Sequence, residues 1–402
     1  MKRLYQSIIQ EHFQNNTQML FLAGPRQVGK TTLTQAVTYL FEESLYLNFD
    51  IEKDRAIILQ GEIAIAKNLH LDTLHTTQPL LILDEFHKYK HWKTLLKGFH
   101  DQYKSRVATI VTGSAKLDIY KKGGDSLMGR YLLYRIHPLS VAELLNQPIN
   151  EHCINPPKSL PIESWQTLIE YGGYPDPYLK NNLRFSRQWG RLRRNQLFNE
   201  EIRSLKQVQD IHHIEMLATL LKEQCGQQIN YSSLATALRV STDTVIRWIS
   251  VLESFYYCFR IRPWFKNIKR SLVKEPKIYL WDWSNINDAG ARAEALVACH
   301  LHKAIHFWTD YGLGEFELFY LRDKEQHEVD FLVTRDSQPW FLVEVKQSDN
   351  QGISKNLYYF QKQLKAPHAF QVALNLPFVA KDCFTEHQPI IVPALTLLSQ
   401  LV

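Results

Sequence analysis

Two groups of residues in this chain have the types and spacing that could do chemistry. The first is "AGPRQVGKTT", residues 23–32, where Gly24 and Gly29 stand five apart, Lys30 follows at once, and Thr31 and Thr32 come next. Glycines let a backbone curl until successive N–H groups point inward at phosphate oxygens, and a helix starting just beyond adds the positive end of its dipole. The stretch Gly24, Pro25, Arg26, Gln27, Val28, Gly29, Lys30, Thr31 and Thr32 is therefore expected to wrap the phosphates of ATP. Lys30 would reach the terminal phosphates, and the Thr31 hydroxyl would ligate Mg2+. The second group is Asp330, Glu344 and Lys346, with thirteen residues between the acids and one between Glu344 and Lys346. Paired carboxylates can ligate Mg2+, the metal can polarise a phosphodiester, and a neighbouring lysine can position water or stabilise charge.

The first group needs an acid to hold its metal, and "PLLILDEFHKY" supplies one. Leu80 to Leu83 reads as a buried parallel strand, which puts Asp84 and Glu85 where its carboxyl end emerges. Asp84 is expected to hold Mg2+, and Glu85 to orient or deprotonate the attacking water. A further apolar run, "VATIVTGSAKL", ends in Thr112-Gly113-Ser114, so Ser114 is a candidate contact to the water or terminal phosphate; capping the next helix is the alternative. Arg130, ahead of "YLLYRI", is a candidate to neutralise charge in the transition state, and a surface arginine at a helix end is the other possibility.

These residues call for an α/β domain with strands near 18–22, 45–49, 80–83, 107–112 and 131–136 and helices between them. At 402 residues the chain is too long for one core. Hydrophobic residues at 45% and charged residues at 22% exclude a disordered chain, and a net charge of +6 permits a phosphate-rich partner without requiring one. The five cysteines are scattered singly, which points away from a zinc site or disulfide framework and toward a reducing compartment. With no signal peptide and no run of about 18 apolar residues, a cytoplasmic protein without a membrane segment is expected.

The chain resembles the bacterial and archaeal AAA-type P-loop ATPases that carry a C-terminal domain of unknown function with a PD-(D/E)XK nuclease-like core. The resemblance rests on "AGPRQVGKTTL", "YLNFD" at 46–50, "LILDEFHK", "VTGSAKL", "GRYLLYRIHPLSVAEL" and "YGGYPDP" at 171–177. It implies ATP hydrolysis by Lys30, Thr31, Asp84 and Glu85. One departure stands out: "FNEEIRSL" appears where these proteins often show an Arg-Asp pair.

Three domains are expected: a P-loop domain over 1–145, a helical to winged-helix domain over 146–275, and a restriction-endonuclease-like α/β domain over 276–402. In the middle one, Ser241 or Thr242 can cap a second helix whose inward face is Val245, Ile249 and Leu252. Its exposed face offers Arg247 beside Asp243 and Glu253, which favours packing or partner binding over base reading. Two basic stretches, 180–196 and 260–277, are candidate tracks for a DNA backbone, the bland alternative being a solvated face. In the third, "FELFYLRD", "HEVDFLVTRD" and "PWFLVEVKQ" read as an antiparallel meander. Glu294, in register with the apolar stripe of "GARAEALVACHLHKAI", joins Asp330 and Glu344 as an expected Mg2+ ligand. The D…ExK pattern resembles the PD-(D/E)XK fold, with Asp330, Glu344 and Lys346 as its catalytic set. The rival reading is an ATPase switch whose last domain only binds a protein partner or a second copy.

Overall fold

Strands that lie in the middle of a parallel sheet are covered on both faces, so they must be apolar throughout. The computed structural model, which describes residues 3–113, 127–203, 210–264, 275–348 and 352–402, has this arrangement in the first of its two units, Met1–His137. That unit runs α1 (Tyr5–Asn15), β1 (Met19–Ala23), α2 (Lys30–Gln35), β2 (Ser44–Asn48), α3 (Glu52–Leu59), α4 (Glu62–Asn68), β3 (Leu80–Asp84), α5 (Trp92–Tyr103), β4 (Ala108–Gly113) and β5 (Tyr131–Arg135). The sheet order is β2-β3-β4-β1-β5, and every pairing is parallel. Each residue of β1, β3 and β4 is buried. On one side of the sheet, Phe21, Leu81, Leu83 and Val111 pack with Leu95, Leu96 and Phe99 of α5. The parallel register brings the carboxyl ends of β1, β3 and β4 to one edge, where the phosphate-type loop begins.

The second unit, Pro138–Val402, opens with helices α6 (Val141–Leu144), α7 (Ile162–Tyr171), α8 (Pro175–Lys180), α9 (Leu183–Gln196), α10 (Ile211–Glu223), α11 (Tyr231–Leu238) and α12 (Thr242–Ser254). It continues with β6 (Cys258–Pro263), β7 (Lys277–Leu280), α13 (Ala289–Asp310), β8 (Phe316–Arg322), β9 (Glu328–Arg335), β10 (Gln338–Lys346), α14 (Lys355–Leu364), β11 (His368–Ala373), β12 (Ile390–Pro393) and α15 (Ala394–Gln400). Asn230 and Ser241 cap α11 and α12 by accepting the backbone N–H three residues on. Val245, Ile249 and Leu252 of α12 are fully buried, and Arg247 is exposed.

Its seven strands lie in the order β12-β11-β10-β9-β8-β6-β7. β8, β9 and β10 form the antiparallel meander, whereas β6 joins β8 in parallel through Arg262↔Phe319 and Pro263↔Tyr320. The expected boundary at 275/276 therefore falls between β6 and β7, which pair antiparallel within this one sheet. Strand pairing at such sequence distance leaves no local signal, which is why the hairpin reads from sequence as part of the preceding helices. Among the described residues no helix is long and apolar enough to cross a membrane.

Candidate functional site

β1 ends at Ala23 and delivers the chain into the loop 24–29. A Cβ on Gly24 would lie 2.3 Å from the Ile136 carbonyl oxygen, so the loop passes where only glycine fits. Gly29, at φ 94°, is the left-handed residue that starts α2. Arg3 is buried and donates to the Val28 carbonyl and, at 2.7 Å, to the His137 carbonyl, tying the loop to the end of the unit. Lys30 is also buried, its ammonium donating 2.8 Å hydrogen bonds to the Gly24 and Pro25 carbonyls. These are ligands it can exchange for phosphate oxygens without leaving the loop.

Asp84 closes β3 and collects donors from three neighbouring elements. Thr31 Oγ1 donates to its Oδ2 at 2.7 Å, Tyr46 Oη donates to the same oxygen at 2.6 Å, and Thr112 Oγ1 donates to Oδ1. Register explains the meeting: Asn48 lies opposite Asp84, and Leu83 opposite Val111, so β2 and β4 bring Tyr46 and Thr112 alongside. Burial by itself would raise this carboxyl, but the hydrogen bonds from Thr112, Tyr46 and Thr31, with the charge of Lys30, hold it below the ordinary carboxylate value. Asp84 is therefore an ionised, oriented oxygen ligand beside the Thr31 hydroxyl, the donor pair that suits Mg2+.

Glu85 follows in the left-handed region at φ 52°. Its Oε2 lies 3.3 Å from Lys88, 3.7 Å from Arg26 of the loop and 3.9 Å from His87, in ion-pair range yet without an aligned hydrogen bond. Burial pushes the His87 imidazole down to about 4, so it stays neutral beside this acid.

Arg130 is placed differently from expectation. It sits at the amino end of β5, its backbone carbonyl accepting from Met19 at the start of β1, and it pairs with Asp101 at 2.7 Å and 3.0 Å. The loop is at the opposite end of these parallel strands, about 15 Å away at roughly 3.3 Å per residue. Arg130 thus does not join the loop within this unit; the surface reading describes its position. Ser114 lies outside the described residues. Arg3 and Tyr46 do not stand out as site residues on type and spacing, because each meets the site from a remote position, with Tyr46 in "YLNFD", which carries only the resemblance; His87, two residues after Glu85, reads in "LILDEFHK" as one more polar residue beside the acids.

In the second unit, Asp330 on β9, Glu344 and Lys346 on β10 and Glu294 on α13 lie near one another, with a further cation among them. Lys277, the first residue of β7, is buried, and its Nζ lies 2.7 Å from Glu328, 3.2 Å from Glu294 and 3.4 Å from Asp330. Tyr279 donates to Glu294 at 2.5 Å, and the Val345 N–H donates to Asp330 at 2.9 Å. Lys346 pairs with Glu344 at 2.8 Å. Burial alone would lower the Lys277 amine, but the charges of Asp330, Glu294 and Glu328 hold it up, so it stays an ammonium. Among the described residues, the acid and histidine group whose ligand atoms all fall within 4.8 Å is Asp323, Glu325 and His327, and not the expected Glu294, Asp330 and Glu344.

The basic stretches also divide. On α9, Arg184, Arg187, Arg191 and Arg194 are exposed at helical spacing, while Arg193 stacks 3.8 Å over the Tyr174 ring and pairs with Asp282. In 260–277, Arg260 is bound by Glu253 and Lys277 by the acids, and Arg262 is exposed. Lys266, Lys269, Arg270 and Lys274 lie outside the described residues.

A parallel sheet with a glycine-flanked loop after β1, and an oriented aspartate at the end of β3, defines a P-loop nucleotide-binding domain. Residues 16–145 match a family model described as an AAA domain, which supports an AAA-type P-loop ATPase fold for this part of the chain. Residues 162–291 and 289–382 match two domains of unknown function, DUF8612 and DUF4143. An uncharacterized protein of Mycobacterium tuberculosis is 22% identical over 84% of this chain and 72% of its own. Another, of Methanocaldococcus jannaschii, is 24% identical over 80% of this chain and 73% of its own. Among solved structures, AMPPCP-bound DnaA from Aquifex aeolicus is similar at 16% identity and a TM-score of 0.30, over 61% of this chain and 86% of that one. A RuvB variant from Thermotoga maritima is similar at 16% identity and a TM-score of 0.28, over 63% of this chain and 87% of that one.

Proposed function

We propose that the protein binds ATP with Mg2+ at the loop 24–32, hydrolyses it, and uses the nucleotide state to switch the second unit as an interaction module. The observation that carries the reading is the Thr31–Asp84 hydrogen bond of 2.7 Å, which brings the loop hydroxyl and an ionised carboxylate onto one point. Mg2+ bound there would neutralise charge on the terminal phosphates, with Thr31 and Asp84 as its protein ligands. Lys30 would trade the Gly24 and Pro25 carbonyls for phosphate oxygens, and the loop N–H groups would hold the remainder. Glu85 would orient the attacking water and accept its proton once nucleotide draws it from Arg26 and Lys88. Steady-state phosphate release by the purified chain with Mg2+ tests this. Turnover that Lys30→Ala abolishes is the expected result, and equal turnover in the variant would overturn it.

For the second unit, the interaction reading is favoured over phosphodiester cleavage by Asp330, Glu344 and Lys346, because the acids are already matched by lysines. The four exposed arginines of α9 suit a phosphate backbone, contacted without sequence reading. Incubating plasmid DNA with Mg2+ or Mn2+ separates the two: cutting that Asp330→Asn removes would restore the nuclease reading.

A further inference from the structure

The carboxylates expected to ligate a metal in the second unit surround a cation the chain supplies itself. Lys277 reaches them from β7, with its side chain 4% exposed, so its charge has almost no access to water and must be matched inside. Glu294 and Asp330, two of the three expected ligands, are matched to it at 3.2 Å and 3.4 Å, and Glu328 at 2.7 Å. The third expected ligand, Glu344, faces Lys346 at 2.8 Å through one oxygen, and its other oxygen is buried without a hydrogen-bond partner. The second oxygen of Asp330 is committed to the Val345 N–H at 2.9 Å, and Tyr279 holds Glu294 at 2.5 Å. A divalent ion needs such oxygens at roughly 2.0–2.6 Å with their lone pairs turned to a common point. An ammonium among them contests that point by volume and by charge, since a doubly charged ion beside Lys277 would be repelled at short range in a medium that screens poorly.

We infer that Lys277 is the resident cation of this carboxylate site, standing where a divalent metal would otherwise sit, and that the native chain leaves Mg2+ and Mn2+ unbound there. The centre is then a metal-independent clasp joining β7, α13 and β9. The inference deepens the reading of the second unit as a binding module and is independent of ATP hydrolysis.

The test is Mn2+ binding to the full chain, followed by electron paramagnetic resonance without nucleotide, in an Asp84→Asn background that silences the first unit. With Lys277 present, no bound Mn2+ should be lost when Asp330→Asn is added. Lys277→Met should gain one Mn2+ per chain, at least tenfold tighter than the background, and Lys277→Met with Asp330→Asn should lose it. Because Lys277→Met leaves several acids unmatched, Lys277→Met with Glu294→Gln is a second variant that keeps Glu328, Asp330 and Glu344 at lower charge, and it should gain a weaker Mn2+ site that Asp330→Asn removes. One equivalent of Mn2+ bound by the Lys277 chain and abolished by Asp330→Asn overturns the inference, as does a folded Lys277→Met pair of variants with no added site. If both variants fail to fold, the comparison of Lys277 chains with and without Asp330→Asn still decides it. Metal bound without DNA cutting would sink this inference alone, whereas Asp330-dependent cutting would sink the binding-module reading as well.

Discussion

Asp84 and Glu85 are adjacent acids given opposite environments by the backbone between them. Asp84 is fixed by hydroxyl donors and held ionised, and Glu85 is turned by its left-handed φ toward Arg26, His87 and Lys88. Roles follow from this: the aspartate suits a metal ligand, and the glutamate suits a group that moves a proton. Glu85→Gln keeps shape and removes basicity, so phosphate release should fall about 100-fold or more while nucleotide affinity changes little. Single-turnover hydrolysis beside equilibrium binding of a fluorescent ATP analogue checks it, and loss of both together would argue that Glu85 only supports the fold. Gly24→Ala makes a different prediction. Its Cβ must displace the Ile136 carbonyl, 2.3 Å away, so the loop shifts, and nucleotide affinity should drop more than tenfold even though no phosphate-contacting group is removed.

At the scale of elements, α13 is held to the α6 turn by a buried charge pair. Lys303 Nζ lies 2.5 Å from Glu143, 2.9 Å from Ser140 Oγ and 3.2 Å from the Pro138 carbonyl, with both charged side chains at most 2% exposed. Removing one partner strands a charge away from water, so Glu143→Leu should cost about 3–5 kcal/mol, and the double change Glu143→Leu with Lys303→Met should recover most of it. Urea denaturation of the single and double variants decides, and additive losses would contradict the pairing. Neither residue stands out in the sequence, for the same reason that Lys277 reads there as one more positive charge in a basic stretch. The strands of the first sheet were legible because parallel strands covered on both faces must be apolar at successive positions, as in Leu80–Leu83, and glycine spacing marked the loop between β1 and α2. What could not be read was which distant side chain completes each site. Tyr46 reaches Asp84 through strand register, Arg3 reaches Val28 from ahead of α1, and Arg130 is carried to the far end of β5 by the direction of its strand. β6 joining β8 belongs with these, since Arg262 pairs with Phe319 nearly sixty residues later and leaves no local pattern.

Across the whole molecule, buried histidines contribute to the response to acid, each within its own unit, beside carboxylates such as Asp84 that are held below their ordinary value. Burial is the largest cause lowering His12, His87 and His100 in the first unit and His300 in the second. His300 is the clearest case: it is fully enclosed, accepts the Val141 N–H on Nε2 at 3.2 Å and donates Nδ1–H to the Leu296 carbonyl at 2.8 Å, with the Lys303 charge nearby. Its imidazole is pushed down from an ordinary 6.5 to about 4. Between those values the unfolded chain binds a proton that the folded chain refuses, so stability rises with pH through the window and is lost as pH falls from 6.5 toward 4. At about pH 5 His300 alone should cost on the order of 2 kcal/mol relative to neutrality. His300→Gln, which can still accept from Val141, should lower stability somewhat at neutral pH and flatten the loss on acidification in the second unit. Denaturant midpoints followed separately for the two units, at about pH 7 and about pH 5, measure this; an unchanged acid slope in the variant would show that His300 does not resist protonation in the folded chain.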